Sequence, residues 1–138
     1  MSQEAAEELV PTPNMAIISI RDPGKTVNLH PYWGHILTIT FNDIRESVPE
    51  FPDWIMFTPE MAERIEKFCD HLPSSVTELV VHCRAGISRS AAVAKYLSIR
   101  YKYDFPKDYD WFNPSVYDIL ISNGKIRKTG IFAGLFRR

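Results

Sequence analysis

Three short apolar runs punctuate the chain: Ala16-Ile17-Ile18-Ser19-Ile20, His35-Ile36-Leu37-Thr38-Ile39-Thr40-Phe41 and Val76-Thr77-Glu78-Leu79-Val80-Val81. Their length and β-branched content predict buried strands, and Asp22-Pro23-Gly24 predicts a turn after the first. Between the second and third runs, Thr58-Pro59-Glu60 carries a helix start: a capping hydroxyl, a proline for the first turn and an acid at the positive end. Met61, Ile65, Phe68, Cys69 and Leu72 then recur at helical spacing, which puts Cys69 on the buried stripe. A second helix is expected over Arg89 to Tyr101, where Ala91, Ala92, Ala94 and Leu97 favour the conformation and Val93, Leu97 and Tyr101 recur. Asn113-Pro114 starts a third, whose Val116, Ile119 and Leu120 should face inward until Asn123-Gly124 ends it. Alternating strands and helices imply an α/β fold: a single small domain over 15–138, with a mostly parallel central sheet flanked by helices and its site at the strands' carboxyl ends. Residues 1–14 are expected to form an N-terminal tail. The aromatic connection Asn28 to Gly34 is expected to cover the sheet.

Composition agrees with a compact globular domain. The chain has 138 residues, 45% hydrophobic and 24% charged, enough for one domain with a real core. A net charge of −1 and an acidic start at Glu4, Glu7 and Glu8 argue against nucleic acid or anionic lipid as partners. No apolar run reaches the length of a membrane span and no signal peptide is recognisable, so a cytoplasmic protein, a monomer, is expected. A reducing compartment would keep its cysteines as thiols.

The chemistry concentrates in His82-Cys83-Arg84-Ala85-Gly86-Ile87-Ser88-Arg89-Ser90, the turn between the third strand and the helix after it. Its backbone N–H groups lie ahead of a helix N-terminus, where an anion is favoured and no metal or other cofactor is needed. Cys83, beneath that terminus and near Arg89, should ionise readily and act as a nucleophile. Arg89 offers a planar fork for two phosphoryl oxygens, and Ser90 a hydroxyl for the thiolate when it departs. Gly86 lets the backbone turn and approach the anion, while Arg84, Ala85, Ile87 and Ser88 complete the binding loop. His82 is expected to order the loop through backbone hydrogen bonds.

This stretch resembles the signature of the cysteine-based protein phosphatases, His-Cys, five residues, then Arg-Ser/Thr, and looks like the small dual-specificity or protein-tyrosine-phosphatase branch. The order of elements is similar from Ala16 to about Gly124. The resemblance implies a dual-specificity-phosphatase-like fold and phosphomonoester hydrolysis through a phosphocysteine. It also implies a general acid on a loop after the strand that precedes the signature. Two aspartates compete for that role. Asp43 follows the second run almost at once and is favoured by its position at a strand end. Asp53, in Phe51-Pro52-Asp53-Trp54, resembles the Trp-Pro-Asp loop of tyrosine-specific enzymes. Asn113 matches an asparagine that braces the phosphate loop in such relatives.

A phosphorylated protein or peptide is the expected partner, phosphotyrosine first and phosphoserine or phosphothreonine next, with inorganic phosphate as product or inhibitor. Phosphoinositide or RNA-triphosphate hydrolysis, a non-catalytic phosphate-binding pseudophosphatase and a rhodanese-like sulfurtransferase are the alternatives. Cys69 is read as a core residue, the other reading being a disulfide that protects oxidised Cys83, as in some relatives. The basic and aromatic tail, Lys125 to Arg138, is expected to pack back on the domain, with docking on a partner or membrane as the other reading.

Overall fold

A computed structural model describes residues 1–129, with side chains through 124. The elements in order are α1 (Gln3–Glu8), β1 (Met15–Arg21), β2 (Ile36–Thr40), α2 (Pro59–Asp70), β3 (Glu78–His82), α3 (Arg89–Tyr101) and α4 (Pro114–Thr129). The three strands form a parallel sheet in the order β2-β1-β3, with Ile18 opposite Leu37 on one side and Val81 on the other. Parallel pairing directs all three carboxyl ends to one edge, so Asp22, Phe41 and Cys83, each the residue after its strand, emerge together.

β1 lies at the centre, buried along six of its seven residues, and its side chains alternate between two cores as the strand period demands. Ile18 and Ile20 join Ile39, Val81, Ile65, Val93, Leu97, Val116 and Leu120 beneath α2, α3 and α4. Met15 and Ile17 face the other way, toward Ala6 and Trp33. The connection that contains Trp33 therefore covers the sheet, as its aromatic content predicts.

Residues 1–14, expected as a tail, are packed. Ser2 accepts a hydrogen bond from Ala5 N and starts α1, whose Ala6 is fully buried. The Met1 ammonium donates to Val81 O at 3.1 Å, and Met1 O accepts from Cys83 N at 3.2 Å. Polar composition hides this docking, because it combines backbone bonds along the edge of β3 with side-chain bonds from Gln3 to Thr26 O and from Asn28 N to Glu7.

α2 begins as its sequence dictates: Thr58 Oγ1 accepts from Met61 N at 3.2 Å and Pro59 occupies the first turn. Its apolar stripe did not indicate Glu66, which is fully buried. The Glu66 carboxylate accepts hydrogen bonds from the Tyr96 and Tyr101 hydroxyls and pairs with Arg100 at 3.5 Å, fastening α2 to α3. Its buried charge is thus hydrogen-bonded and paired, the condition for its survival in a core.

α4 runs past Asn123-Gly124, which local signals mark as its end. A Cβ on Gly124 would overlap the Tyr96 hydroxyl, so this glycine permits close packing of α4 on α3 rather than a helix stop. The expectation for the tail Lys125 to Arg138 lies outside the described side chains. Alanine in a helix interior gains about 1 kcal/mol over glycine, but overpacking costs about 1–3 kcal/mol. Tyr96 is held by Glu66 and cannot yield. Gly124→Ala is therefore expected to destabilise the fold by up to about 2 kcal/mol, read as a lower urea midpoint at unchanged m-value.

Candidate active site

β3 ends at His82 and α3 begins at Arg89, so residues 83–88 form the strand-to-helix loop. His82 is fully buried, and burial lowers its pKa, which keeps the ring neutral at physiological pH. Arg21 Nε donates to Ser19 Oγ at 2.9 Å, and Ser19 Oγ lies 2.6 Å from His82 Nε2. The serine proton is then directed to Nε2, which leaves the ring proton on Nδ1, 3.3 Å from Cys83 O. His82 orders the loop through its backbone, as expected, with Ser19 and Arg21 behind it.

Cys83 is nearly fully buried. Burial alone would raise its pKa. The Ser90 hydroxyl at 3.2 Å, the Ser90 amide, the Gly86 amide at 3.2 Å and the Arg89 charge outweigh that effect, and the thiol lies below its ordinary value. With the sulfur ionised, Ser90 Oγ is the donor. Gly86 has φ of +74°, a left-handed conformation that favours glycine. A Cβ there would come 2.5 Å from the Met1 carbonyl carbon and 2.6 Å from Ser2 N. The crowding at this glycine thus comes from the N-terminal segment, which its place in the motif did not reveal.

Arg89 is 4% exposed. Its Nη1 donates to Phe41 O at 2.7 Å and pairs with Asp22 Oδ1 at 2.8 Å, while its buried Nε has no partner. Asp22, read from sequence only as a turn residue, is the anchor of this guanidinium. Its second contact, to Arg84 at 3.9 Å, involves a side chain 76% exposed and contributes little. No local signal marks Asp22, because its partner is distant in sequence.

The structure separates the two candidate acids. Asp43 Oδ1 accepts from Ser88 Oγ of the loop at 2.9 Å and from Asn113 Nδ2 at 2.8 Å. Asn113, 1% exposed, also donates through Nδ2 to Ile44 O and through its backbone N–H to Ser88 O, both at 3.1 Å. Its Oδ1 caps α4 by accepting from Ser115 N and Val116 N. Asp53 lies in the turn closed by Trp54 N to Phe51 O and makes no hydrogen bond or ion pair among the described residues. Asn42 closes the base of the loop that carries both aspartates: its N–H donates to Ile55 O at 2.8 Å and its Oδ1 accepts from Ile55 N at 2.7 Å.

Around the loop, Arg84, Ala85 and Ile87 are exposed and Ser88 is partly so. Both cysteines are free thiols. Cys69 is pushed up to about 12 by burial and by the Glu66 and Asp70 carboxylates. It therefore supplies no thiolate near neutral pH, which disfavours it as a partner for oxidised Cys83. The arrangement brings together a sulfur whose ionisation its donors favour, the Gly86 amide and a guanidinium whose buried Nε has no partner. Among the described residues no helix is long and apolar enough to cross a membrane. No family model matches the chain, and no curated protein matches it.

Two outcomes follow from this geometry. Asp22→Ala strands a buried guanidinium and should cost about 3 kcal/mol of stability, measured by denaturant unfolding; an unaltered midpoint would mean the pair contributes nothing. Alkylation of Cys83 by iodoacetamide should rise with pH at a lower value than for an ordinary thiol, because only the thiolate reacts and its pKa is depressed. Ser90→Ala removes a stabilising donor and should move that rise upward in pH.

Proposed function

We propose that this protein is a phosphomonoester hydrolase that acts through a phosphocysteine intermediate, of the cysteine-based dual-specificity or protein-tyrosine-phosphatase kind. One observation carries the reading: the buried Cys83 sulfur accepts from Gly86 N and lies 3.2 Å from Ser90 Oγ at the base of a loop whose Arg89 keeps a buried, unpartnered Nε. A structural cysteine in an ordinary turn needs no such donors, and an unsatisfied guanidinium N–H is costly unless a ligand completes it.

In the first step the Cys83 thiolate attacks phosphorus in line, and the sulfur–phosphorus bond forms as the ester oxygen–phosphorus bond breaks. Loop amides and Arg89 hold the three non-bridging oxygens as charge develops on them. Asp43 protonates the departing oxygen. Both of its hydrogen bonds fall on Oδ1, so Oδ2 is available to carry that proton. In the second step water attacks phosphorus and gives a proton to Asp43, and the electron pair of the sulfur–phosphorus bond returns to Cys83. Ser90 Oγ stabilises the departing thiolate, and inorganic phosphate is released. The proposed setting is the cytoplasm, where Cys83 stays reduced, and the proposed substrates are phosphotyrosine peptides first.

The test is hydrolysis of aryl phosphates and phosphopeptides beside inositides, nucleotides and thiosulfate. Cys83→Ser should abolish turnover, and Arg89→Lys, which keeps the charge but loses the fork, should lower kcat by about a hundredfold. Asp43→Asn should slow an ester with a poor leaving group far more than one with a good leaving group, and it should remove the basic limb of the pH–rate profile. Asp53→Asn should do neither. Sulfite release from thiosulfate without phosphate release would replace this reading with sulfur transfer.

A further inference from the structure

We infer that Tyr109 is a positioning residue for the oxyanion site, acting through the Ile87 carbonyl; the inference rests on reading the Cys83 loop as that site. A trans peptide points each carbonyl away from the following N–H. Loop amides can converge on an anion only if the carbonyls behind them are turned outward and satisfied there. Four of these carbonyls have donors from four different parts of the chain. The His82 ring lies 3.3 Å from Cys83 O, Gln3 N donates to Arg84 O at 3.1 Å, the Tyr109 hydroxyl to Ile87 O at 2.5 Å, and Asn113 N to Ser88 O at 3.1 Å. By peptide geometry these bonds set the N–H directions of Arg84, Ala85, Ser88 and Arg89.

The Ile87–Ser88 peptide depends most on such a bond. Ile87 is 46% exposed, so packing of its side chain does little to hold that peptide. Ser88 O, by contrast, also accepts from Ala92 N of α3 at 3.1 Å. Tyr109 is itself anchored: its ring meets Phe105 edge-on at 5.9 Å, and its N–H bonds Pro106 O at 3.3 Å. The segment between α3 and α4 thereby gains a role that its aromatic composition alone did not suggest. Tyr109 touches neither the sulfur nor the anion. Its effect is to keep one amide aimed before the ligand arrives, a preorganisation that serves ground state and transition state alike.

Tyr109→Phe removes one oxygen and keeps the ring on Phe105. Affinity for inorganic phosphate, read as protection of Cys83 from iodoacetamide, should weaken about three- to tenfold, the weight of one exposed hydrogen bond. For p-nitrophenyl phosphate the loss should fall on kcat/KM, with the thermal midpoint nearly unchanged. Tyr32→Phe, at an exposed tyrosine elsewhere, should alter none of these. A purely structural role would lower the midpoint and leave the phosphate affinity of the folded molecules as it was, which would overturn the inference. Unchanged phosphate affinity in Tyr109→Phe, beside a wild type that binds phosphate, would overturn the role of Tyr109 alone. A wild type that phosphate does not protect would overturn the oxyanion reading and this role with it.

Discussion

One guanidinium joins the ends of the three strands. Asp22 follows β1, Phe41 follows β2, and Arg89 opens the helix that follows β3; all three meet at Arg89 Nη1. Removing an arginine from water costs several kcal/mol, and only a partner of opposite charge with good geometry offsets it. The pair at 2.8 Å and the carbonyl at 2.7 Å satisfy one nitrogen of the fork, while Nε stays buried without a partner. The guanidinium is thus anchored through Nη1 to two strand ends and has an N–H at Nε left without a partner.

Two residues at helix-cap positions also tie the loops together. Asn113 spends its oxygen on α4 and its nitrogen on Asp43 and Ile44, so the position of the last helix and that of the aspartate loop are linked through one buried amide. Ser88 stands at the N-cap of α3 without making the cap bond and gives its hydroxyl to Asp43 instead. A small amount of helix stability is traded for a connection between two loops that share no sequence proximity.

The two cysteines show that burial by itself does not set reactivity. Both are buried within one core cluster. Burial raises the pKa of Cys69, and the Glu66 and Asp70 carboxylates, which oppose a second negative charge, raise it further. Cys83 faces N–H and O–H donors and an arginine, and its pKa falls. The same thiol is inert in one place and poised in the other because of the sign of the groups around it.

Strands, helices and the Cys83 loop were legible in the sequence because each rests on local regularities: β-branched runs, a capping threonine before proline, a stripe at helical spacing, and a cysteine and arginine bracketing a turn. Those regularities were enough to predict a parallel α/β sheet with its site at the strands' carboxyl ends, and to single out Cys83, Gly86, Arg89 and Ser90. The remainder depended on contacts between residues far apart in the chain. Asp22 looked like a turn residue until folding set it against Arg89, and Asp43, favoured over Asp53 only by its place after a strand, is the one that Asn113 and Ser88 bond. Gly124 signalled a helix end, yet the tyrosine packed over it makes it a point of close approach. The docking of the N-terminal residues was not legible, because it joins a single buried alanine, Ala6, to backbone and side-chain bonds with residues far along the chain, which no local pattern records.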